Sequence, residues 1–134
     1  METYRANLVF SFTFHASLDA ALRGVALCIE NPRDSLLWYT YLMESLLRLT
    51  AVQDVDYDGC MVGGTRPQAQ KLRTNVSAMA AFGLRCDNNH WHEDWGLIRS
   101  RKRVVVATSL ETAYPQQLCE IDCACRISYI SLRC

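Results

Sequence analysis

The sequence predicts a single domain of the mixed α/β class. Segments with helical spacing of apolar residues alternate with short apolar runs that end at glycine, proline or polar residues, a pattern typical of strands joined by helices. The chain has 134 residues, half of them hydrophobic, which is enough to bury one modest core. No internal repeat or linker interrupts it, so we treat residues 1–134 as one domain.

The first element is predicted to be a helix. Residues 4–23 carry apolar side chains at a spacing compatible with one helical face. Phe10, Phe12 and Phe14 alternate with polar residues, as they would in a strand, so a strand is the competing interpretation. We favour the helix, and Gly24 is well suited to end it.

A buried strand followed by a second helix comes next. Residues 25–29 form an apolar run of the kind found in buried parallel strands. Pro32 would stop that strand, because proline has no amide proton to donate within a sheet. Ser35 is placed to cap a helix over residues 36–49, which has a wide apolar face.

Shorter elements are predicted for the rest of the chain. Glycines and a proline in residues 58–70 indicate a loop, and residues 85–103 are polar and irregular. The expected elements are strands at 52–57 and 71–76, a helix or helical turn at 77–84, a small strand at 104–107 and a final helix at 114–124.

Composition excludes several classes of protein. The 14 basic and 14 acidic residues cancel, so net charge cannot steer the chain toward nucleic acid. We see neither a membrane-spanning apolar run nor a signal peptide, and we expect an intracellular protein that does not associate with membranes. The seven cysteines are odd in number and irregularly spaced, so we expect reduced thiols.

Glu30, Asn31 and Pro32 form the sharpest local motif. They follow the apolar run, at the carboxyl end of the predicted strand, where open α/β sheets bind ligands. A partly desolvated glutamate at that point would have a raised pKa and could protonate a ring nitrogen. The simpler alternative is a polar residue leaving a strand for a turn.

Several motifs in order resemble the C5-cytosine DNA methyltransferase-like family, in relatives that have Glu-Asn-Pro in place of Glu-Asn-Val. The resemblance covers roughly residues 5–120, and residues 121–134 depart from it. The matching segments are Asn7-Leu8, Gly24-Val25, Ile29-Glu30-Asn31-Pro32, Ser35, Leu37-Trp38, Asp56 to Gly63, Leu72-Arg73-Thr74-Asn75, Cys86-Asp87-Asn88 with His90 and His92, Thr112-Ala113-Tyr114-Pro115 and Leu118-Cys119.

The resemblance implies a domain that acts on DNA and contains a partial Rossmann-like methyltransferase sheet. Glu30 would contact the Watson–Crick edge of a flipped cytosine and protonate its ring nitrogen. Asn31 and Pro32 would hold the protein backbone of this motif in place. Arg73 would reach the carbonyl oxygen of the base. An exposed strand arginine is the competing interpretation of Arg73.

The chain also departs from the family. It contains no Pro-Cys pair to supply the nucleophile, and Gly63-Gly64 opens no helix after a strand, so it lacks the S-adenosylmethionine loop. Gln68 and Gln70 stand where relatives have Lys-x-Thr. We therefore expect a truncated domain, incomplete in its N-terminal half, that does not bind S-adenosylmethionine and is inactive alone.

Cys86, His90 and His92 lie within seven residues and are candidate metal ligands. Zinc accepts cysteine and histidine, and either Cys60 or Cys119 would be the fourth ligand. The alternative is a polar loop in which the histidines stack on the nearby tryptophans.

Two further hypotheses follow. The chain could be a small nucleic-acid-binding module that uses Arg73 and the basic run at 99–103, stiffened by zinc. It could instead be an interaction subunit completed by a partner chain that supplies the missing half-domain. The competing interpretation of the basic run is a loop whose charges are solvated.

Overall fold

The computed structural model describes residues 2–99, 104–106 and 128–131. The mixed α/β class is confirmed. None of the described helices is both long and apolar enough to cross a lipid bilayer. The helices and strands are α1 (Glu2–Leu22), β1 (Leu27–Pro32), α2 (Tyr41–Leu49), β2 (Gln53–Asp58), β3 (Ala69–Thr74), β4 (Leu97–Arg99), β5 (Val104–Val106) and β6 (Ser128–Ser131), with 3₁₀ helices at Leu36–Tyr39, Gly59–Val62 and Ser77–Phe82.

The main sheet has the strand order β2-β3-β1-β6. β3 lies between β1 and β2 and is antiparallel to both, whereas β1 and β6 are parallel. The expectation of a buried parallel strand therefore holds for only one edge of β1. β3 is antiparallel to β2 because a short connection returns the chain directly alongside the strand it has just left. A Rossmann-like sheet is not confirmed.

The first helix is confirmed, and the competing strand is not formed. Phe14 is buried and Phe12 is 63% exposed, because alternate residues of a helix lie on different faces. Gly24 follows the helix with a φ of 68°, in the left-handed region that glycine adopts readily. The amide of Val25 donates to the carbonyl of Ala20 at 2.8 Å, which closes the end of the helix.

The second predicted helix is divided in two. Ser35 caps the 3₁₀ helix Leu36–Tyr39, where its hydroxyl accepts from the amide of Leu37. Thr40 then adopts an extended conformation and caps α2 through its hydroxyl, which accepts from the amide of Met43. The break occurs because the hydroxyl of Thr40 can cap the first turn of a new helix.

The sheet separates two apolar clusters, because successive side chains of a strand point to opposite faces. Leu27 and Ile29 of β1 pack with α1, α2 and Trp38 on one face. Cys28 of β1 packs on the other face with Leu72 and with residues of β2 and the two later 3₁₀ helices.

The later elements lie close to their predicted positions. β2 confirms the strand predicted at 52–57, β3 begins two residues before its prediction of 71–76, and the turn predicted at 77–84 is the 3₁₀ helix Ser77–Phe82. β5 confirms the small strand at 104–107. The final helix predicted at 114–124 lies outside the described residues, as do residues 100–103 of the basic run.

Candidate metal centre

Glu30 lies in β1 near the strand's carboxyl end and is only 8% exposed. Leu72 of β3 is its partner in register, and the side chain of Gln70, two residues away on the same face of β3, contacts it diagonally. In the side-chain orientation that satisfies both of its ends, Gln70 donates to Glu30 Oε1 at 2.7 Å and accepts from the side-chain Nε2 of Gln68 at 2.7 Å. Glu30 is thus a nearly buried carboxylate that contacts a neutral amide.

Asn31 and Pro32 complete the motif with backbone contacts. Asn31 is buried and pairs in register with Lys71. The carbonyl of Pro32 accepts from the indole nitrogen of Trp38 at 2.8 Å and from the amide of Ser35 at 2.9 Å. These two bonds fix the turn that leaves the strand.

Arg73 lies on the other face of the sheet from Glu30, because it is paired in register with Ile29. It is 2% exposed and donates to both carboxylate oxygens of Asp54, at 2.6 and 2.8 Å. It also donates to the carbonyl of Met43 and lies over the ring of Trp38. The structure therefore does not bring Arg73 together with Glu30, and Arg73 is not an exposed strand arginine.

A second group of predicted residues does come together. Cys60 belongs to the 3₁₀ helix Gly59–Val62, directly after β2. This helix ends at Gly63, whose φ of 94° favours glycine. A side chain on Gly64 would meet the carbonyl oxygen of Gly59 at 2.8 Å, so the turn has no room for a larger residue. The two glycines therefore hold the backbone around Cys60.

Cys86, His90 and His92 lie on the loop that follows the 3₁₀ helix Ser77–Phe82. The carboxylate of Asp58, at the end of β2, accepts from the amide of Cys86 at 2.8 Å. This bond connects the loop to the strand end that precedes Cys60, and it brings ligands distant in sequence to one place.

The four side chains form a cluster with the dimensions of a metal site. The ligand atoms of Cys60, Cys86, His90 and His92 all lie within 4.8 Å of one another. Cys86 Sγ is 3.4 Å from His92 Nε2 and 3.9 Å from His90 Nε2, and the two Nε2 atoms are 2.9 Å apart. Zinc bonded to sulfur and nitrogen sets tetrahedral ligands roughly 3.3–3.8 Å apart. The cluster can hold a metal ion.

The ligands are themselves held by neighbouring groups. The amide of Asn88 donates to Cys86 Sγ at 3.3 Å, and Asn88 adopts a positive φ of 57° to do so. The Nδ1 atom of His90 lies 3.7 Å from a carboxylate oxygen of Asp87. Such outer contacts orient metal ligands and fix the ring nitrogen that faces the ion.

Arg66 holds the far end of the loop and is only 4% exposed. Its guanidinium pairs with the carboxylate of Glu93, donates to the carbonyl of Asp94 at 3.2 Å and lies 5.6 Å from the ring centroid of Trp95. The amide of Glu93 also donates to the carbonyl of Thr65 at 2.9 Å. The ligand loop is thus attached at both ends.

Partial burial raises the pKa of the Cys60 thiol from 9.0 to about 11. The hydrogen bond with Cys86 and the electrostatic influence of Cys86 and Asp58 raise the pKa of Cys60 further. Without a metal, the Cys60 thiol is therefore held in its protonated form. A divalent cation would reverse the effect, because it stabilises thiolates.

One of the two candidates for the fourth ligand lies in the cluster. Cys60 joins Cys86, His90 and His92, whereas Cys119 lies outside the described residues. The histidines contact each other edge to face, with ring centroids 4.4 Å apart. Of the two tryptophans named in the alternative of a stacked polar loop, Trp91 is 80% exposed and Trp95 lies against the guanidinium of Arg66.

Three residues that position the predicted site residues were not identified from the sequence: Asp54, Asp58 and Gln70. Asp54 and Asp58 belong to the alternating Asp54-x-Asp56-x-Asp58 of β2, in which aspartates recur with the period of a strand. Aspartates at this spacing within a sheet indicate that they have buried partners or bind a neighbouring loop. The pattern is visible in the sequence. Gln70 was considered only as a departure from the family.

Comparison of the chain with protein-family models, curated proteins and solved structures finds no match. The resemblance to C5-cytosine methyltransferases therefore rests on the motifs quoted above.

Proposed function

We propose that this chain is a zinc-stabilised α/β module in which one structural Zn²⁺ is held by Cys60, Cys86, His90 and His92. The observation that carries the proposal is the approach of these four ligand atoms to within 4.8 Å. Two thiolates and two imidazoles are a common ligand set of structural zinc sites.

The donor chemistry favours zinc over other metals. Thiolates disfavour magnesium and calcium, which take oxygen ligands, and a tetrahedral set of two sulfurs and two nitrogens suits zinc. Four protein ligands leave no position for water or substrate, which is the arrangement of a structural site. We therefore assign the ion to folding rather than to catalysis.

The ion would join two segments that share little apolar contact. The loop that carries Cys86, His90 and His92 exposes Trp91 and contributes no residue to either apolar cluster. A metal ion that binds this loop to Cys60 would supply the ordering free energy that burial does not.

Elemental analysis of the purified chain tests the assignment. We expect one zinc per chain, and replacement by Co²⁺ should give the visible absorption of a tetrahedral, thiolate-bound cobalt ion. Cys60→Ser should remove the metal. Cys119→Ser is the matched control and should retain it. Metal loss in the Cys119 variant but not in the Cys60 variant would refute this ligand set.

A second candidate function rests on the enclosed contact between Glu30 and Gln70. We propose that the chain is related to C5-cytosine methyltransferases and that Glu30 takes part in recognising a cytosine. The carboxylate's position near the end of β1, beside a neutral amide, supports this proposal. Gln70, rather than Arg73, would then be the second residue that contacts the base.

The residues present do not fit S-adenosylmethionine. In the described part of the chain, no strand leads through a glycine-rich turn into an α-helix, the arrangement that holds such cofactors. Gly63 and Gly64 instead close the turn around Cys60. We accordingly propose a chain that recognises a base without carrying out methyl transfer.

Two binding measurements test the second candidate. Calorimetry should detect no saturable S-adenosylmethionine binding. Fluorescence anisotropy with single-stranded oligonucleotides should show a preference for cytosine over thymine that Glu30→Gln removes, while Glu44→Gln on α2 leaves it intact. Equal binding of both oligonucleotides by the parent chain would rule out the proposed recognition.

A further inference from the structure

Helix α1 carries large apolar side chains on two opposite faces. One face packs into the core through Phe14. The other exposes Tyr4, Leu8, Phe12 and Leu22, which are between 52% and 72% accessible. A helix that is apolar on both sides is normally buried on both sides, and large apolar side chains exposed together mark an interaction surface.

The spacing along this stripe is that of a helix–helix seam. Leu8, Phe12, His15, Asp19 and Leu22 follow one another at alternating intervals of four and three residues and are all exposed. This is the heptad interval that keeps one stripe of a helix facing a partner helix. The stripe from Tyr4 to Leu22 is about 27 Å long.

The positions of charged residues on α1 favour a second copy of the same helix as the partner, in antiparallel orientation. Arg5 lies beside the stripe and Asp19 within it, and both are exposed at equal distances along the helix on either side of Phe12. In an antiparallel pair of α1 helices centred on Phe12, Arg5 of each copy would face Asp19 of the other. A parallel pair would instead place like charges together, which is unfavourable.

We propose that α1 pairs with α1 of a second copy of this chain in an antiparallel homodimer. The twofold axis passes at Phe12, so the same surface is used by both copies. Leu8 of one copy packs near His15 and Ala16 of the other, and two Arg5–Asp19 pairs flank this centre. Asp19 also accepts from Arg23 of its own chain, the residue directly after α1, at 2.8 Å, so each acidic group would lie between two guanidinium groups.

Sedimentation equilibrium of the zinc-loaded, full chain tests the pairing. We expect an assembly of twice the 15.3 kDa chain mass. Phe12→Glu should weaken dimerisation at least about tenfold, because it would bury two facing carboxylates. Leu49→Glu is the matched control: Leu49 is also 63% exposed but lies at the end of α2, and its substitution should leave the dimer unchanged.

Charge exchange tests the antiparallel direction. Arg5→Asp and Asp19→Arg should each weaken the dimer, and the double variant should restore it, because the pairs re-form with reversed sign. Circular dichroism confirms that each variant is folded. A chain that stays monomeric at about 100 µM, a dimer insensitive to Phe12→Glu, or a double variant weaker than both single variants would each overturn the proposal.

Discussion

Arg73 on β3 and Asp54 on β2 are paired in register, and the guanidinium donates to both oxygens of the carboxylate at 2.6 and 2.8 Å. The pair lies under α2, because Arg73 also donates to the carbonyl of Met43. The sheet and the helix are thus joined by one nearly buried cation. Arg73 is a structural residue in this arrangement.

Breaking this pair should destabilise the fold strongly. Asp54→Asn leaves the Arg73 cation without its charged partner, and removing one member of a buried ion pair is costly. We expect a loss of about 2–4 kcal/mol in the free energy of unfolding, below the fully buried case because Asp54 is 26% exposed. Urea unfolding measures it.

The matched control is the exposed pair of Glu44 and Arg48 on α2. Because solvent screens this pair, Glu44→Gln should cost about 0.5 kcal/mol or less. Equal losses for the two variants would contradict a structural role for Arg73.

Gly64→Ala should weaken metal binding. The added methyl would meet the carbonyl oxygen of Gly59 at 2.8 Å, so the turn that holds Cys60 must shift. Overpacking of this kind costs about 1–3 kcal/mol, and we expect that loss in stability together with a lower zinc affinity. Thermal unfolding and competition with a chromophoric chelator measure the two effects.

Gly96→Ala is the control for that substitution, since nothing lies within 4 Å of the position its methyl would occupy. It should change neither quantity. A Gly64 variant that binds zinc as tightly as the parent would show that the turn does not position Cys60.

Arg66→Ala should release the far end of the ligand loop. The substitution removes the contacts to Glu93, Asp94 and Trp95 and leaves the carboxylate of Glu93 without this guanidinium. We expect amide hydrogen exchange to rise at least about tenfold in residues 86–95, with little change in α1. An equal rise in both regions would instead indicate global destabilisation.

Zinc affinity should increase with pH. The pKa of the metal-free Cys60 thiol is raised to about 11, so the thiol is protonated at neutral pH and must lose its proton when zinc binds. Below that pKa, this thiol alone should weaken binding about tenfold for each unit by which the pH falls. Chelator competition between about pH 6.5 and 8.5 measures the slope, and an affinity independent of pH would contradict thiolate ligation by Cys60.

The metal-free chain should show the opposite dependence. A thiol whose pKa rises from 9.0 to about 11 on folding stabilises the fold below pH 9.0, and this contribution is lost as the pH rises toward 11. Urea unfolding of chelator-treated protein at rising pH tests the sign, with Cys60→Ser as the variant in which this contribution is absent.

Local features of the sequence were sufficient to predict most elements of the described chain. Helical spacing with Gly24 as a stop predicted α1, and Ser35 was correctly placed as a cap. Such features are predictable because they depend on neighbours within about one helical turn or one strand. The break at Thr40 was missed because two caps compete within a single apolar stretch.

Features that depend on distant residues were decided only by the tertiary structure. Cys60 and Cys119 were equal candidates from the sequence, and the carboxylate of Asp58 is what brings the loop of Cys86 to Cys60. Arg73 and Glu30 were expected to face one base, yet strand register places them on opposite faces. Sequence spacing specifies which residues share a face within one element, but only chain packing determines which elements become neighbours.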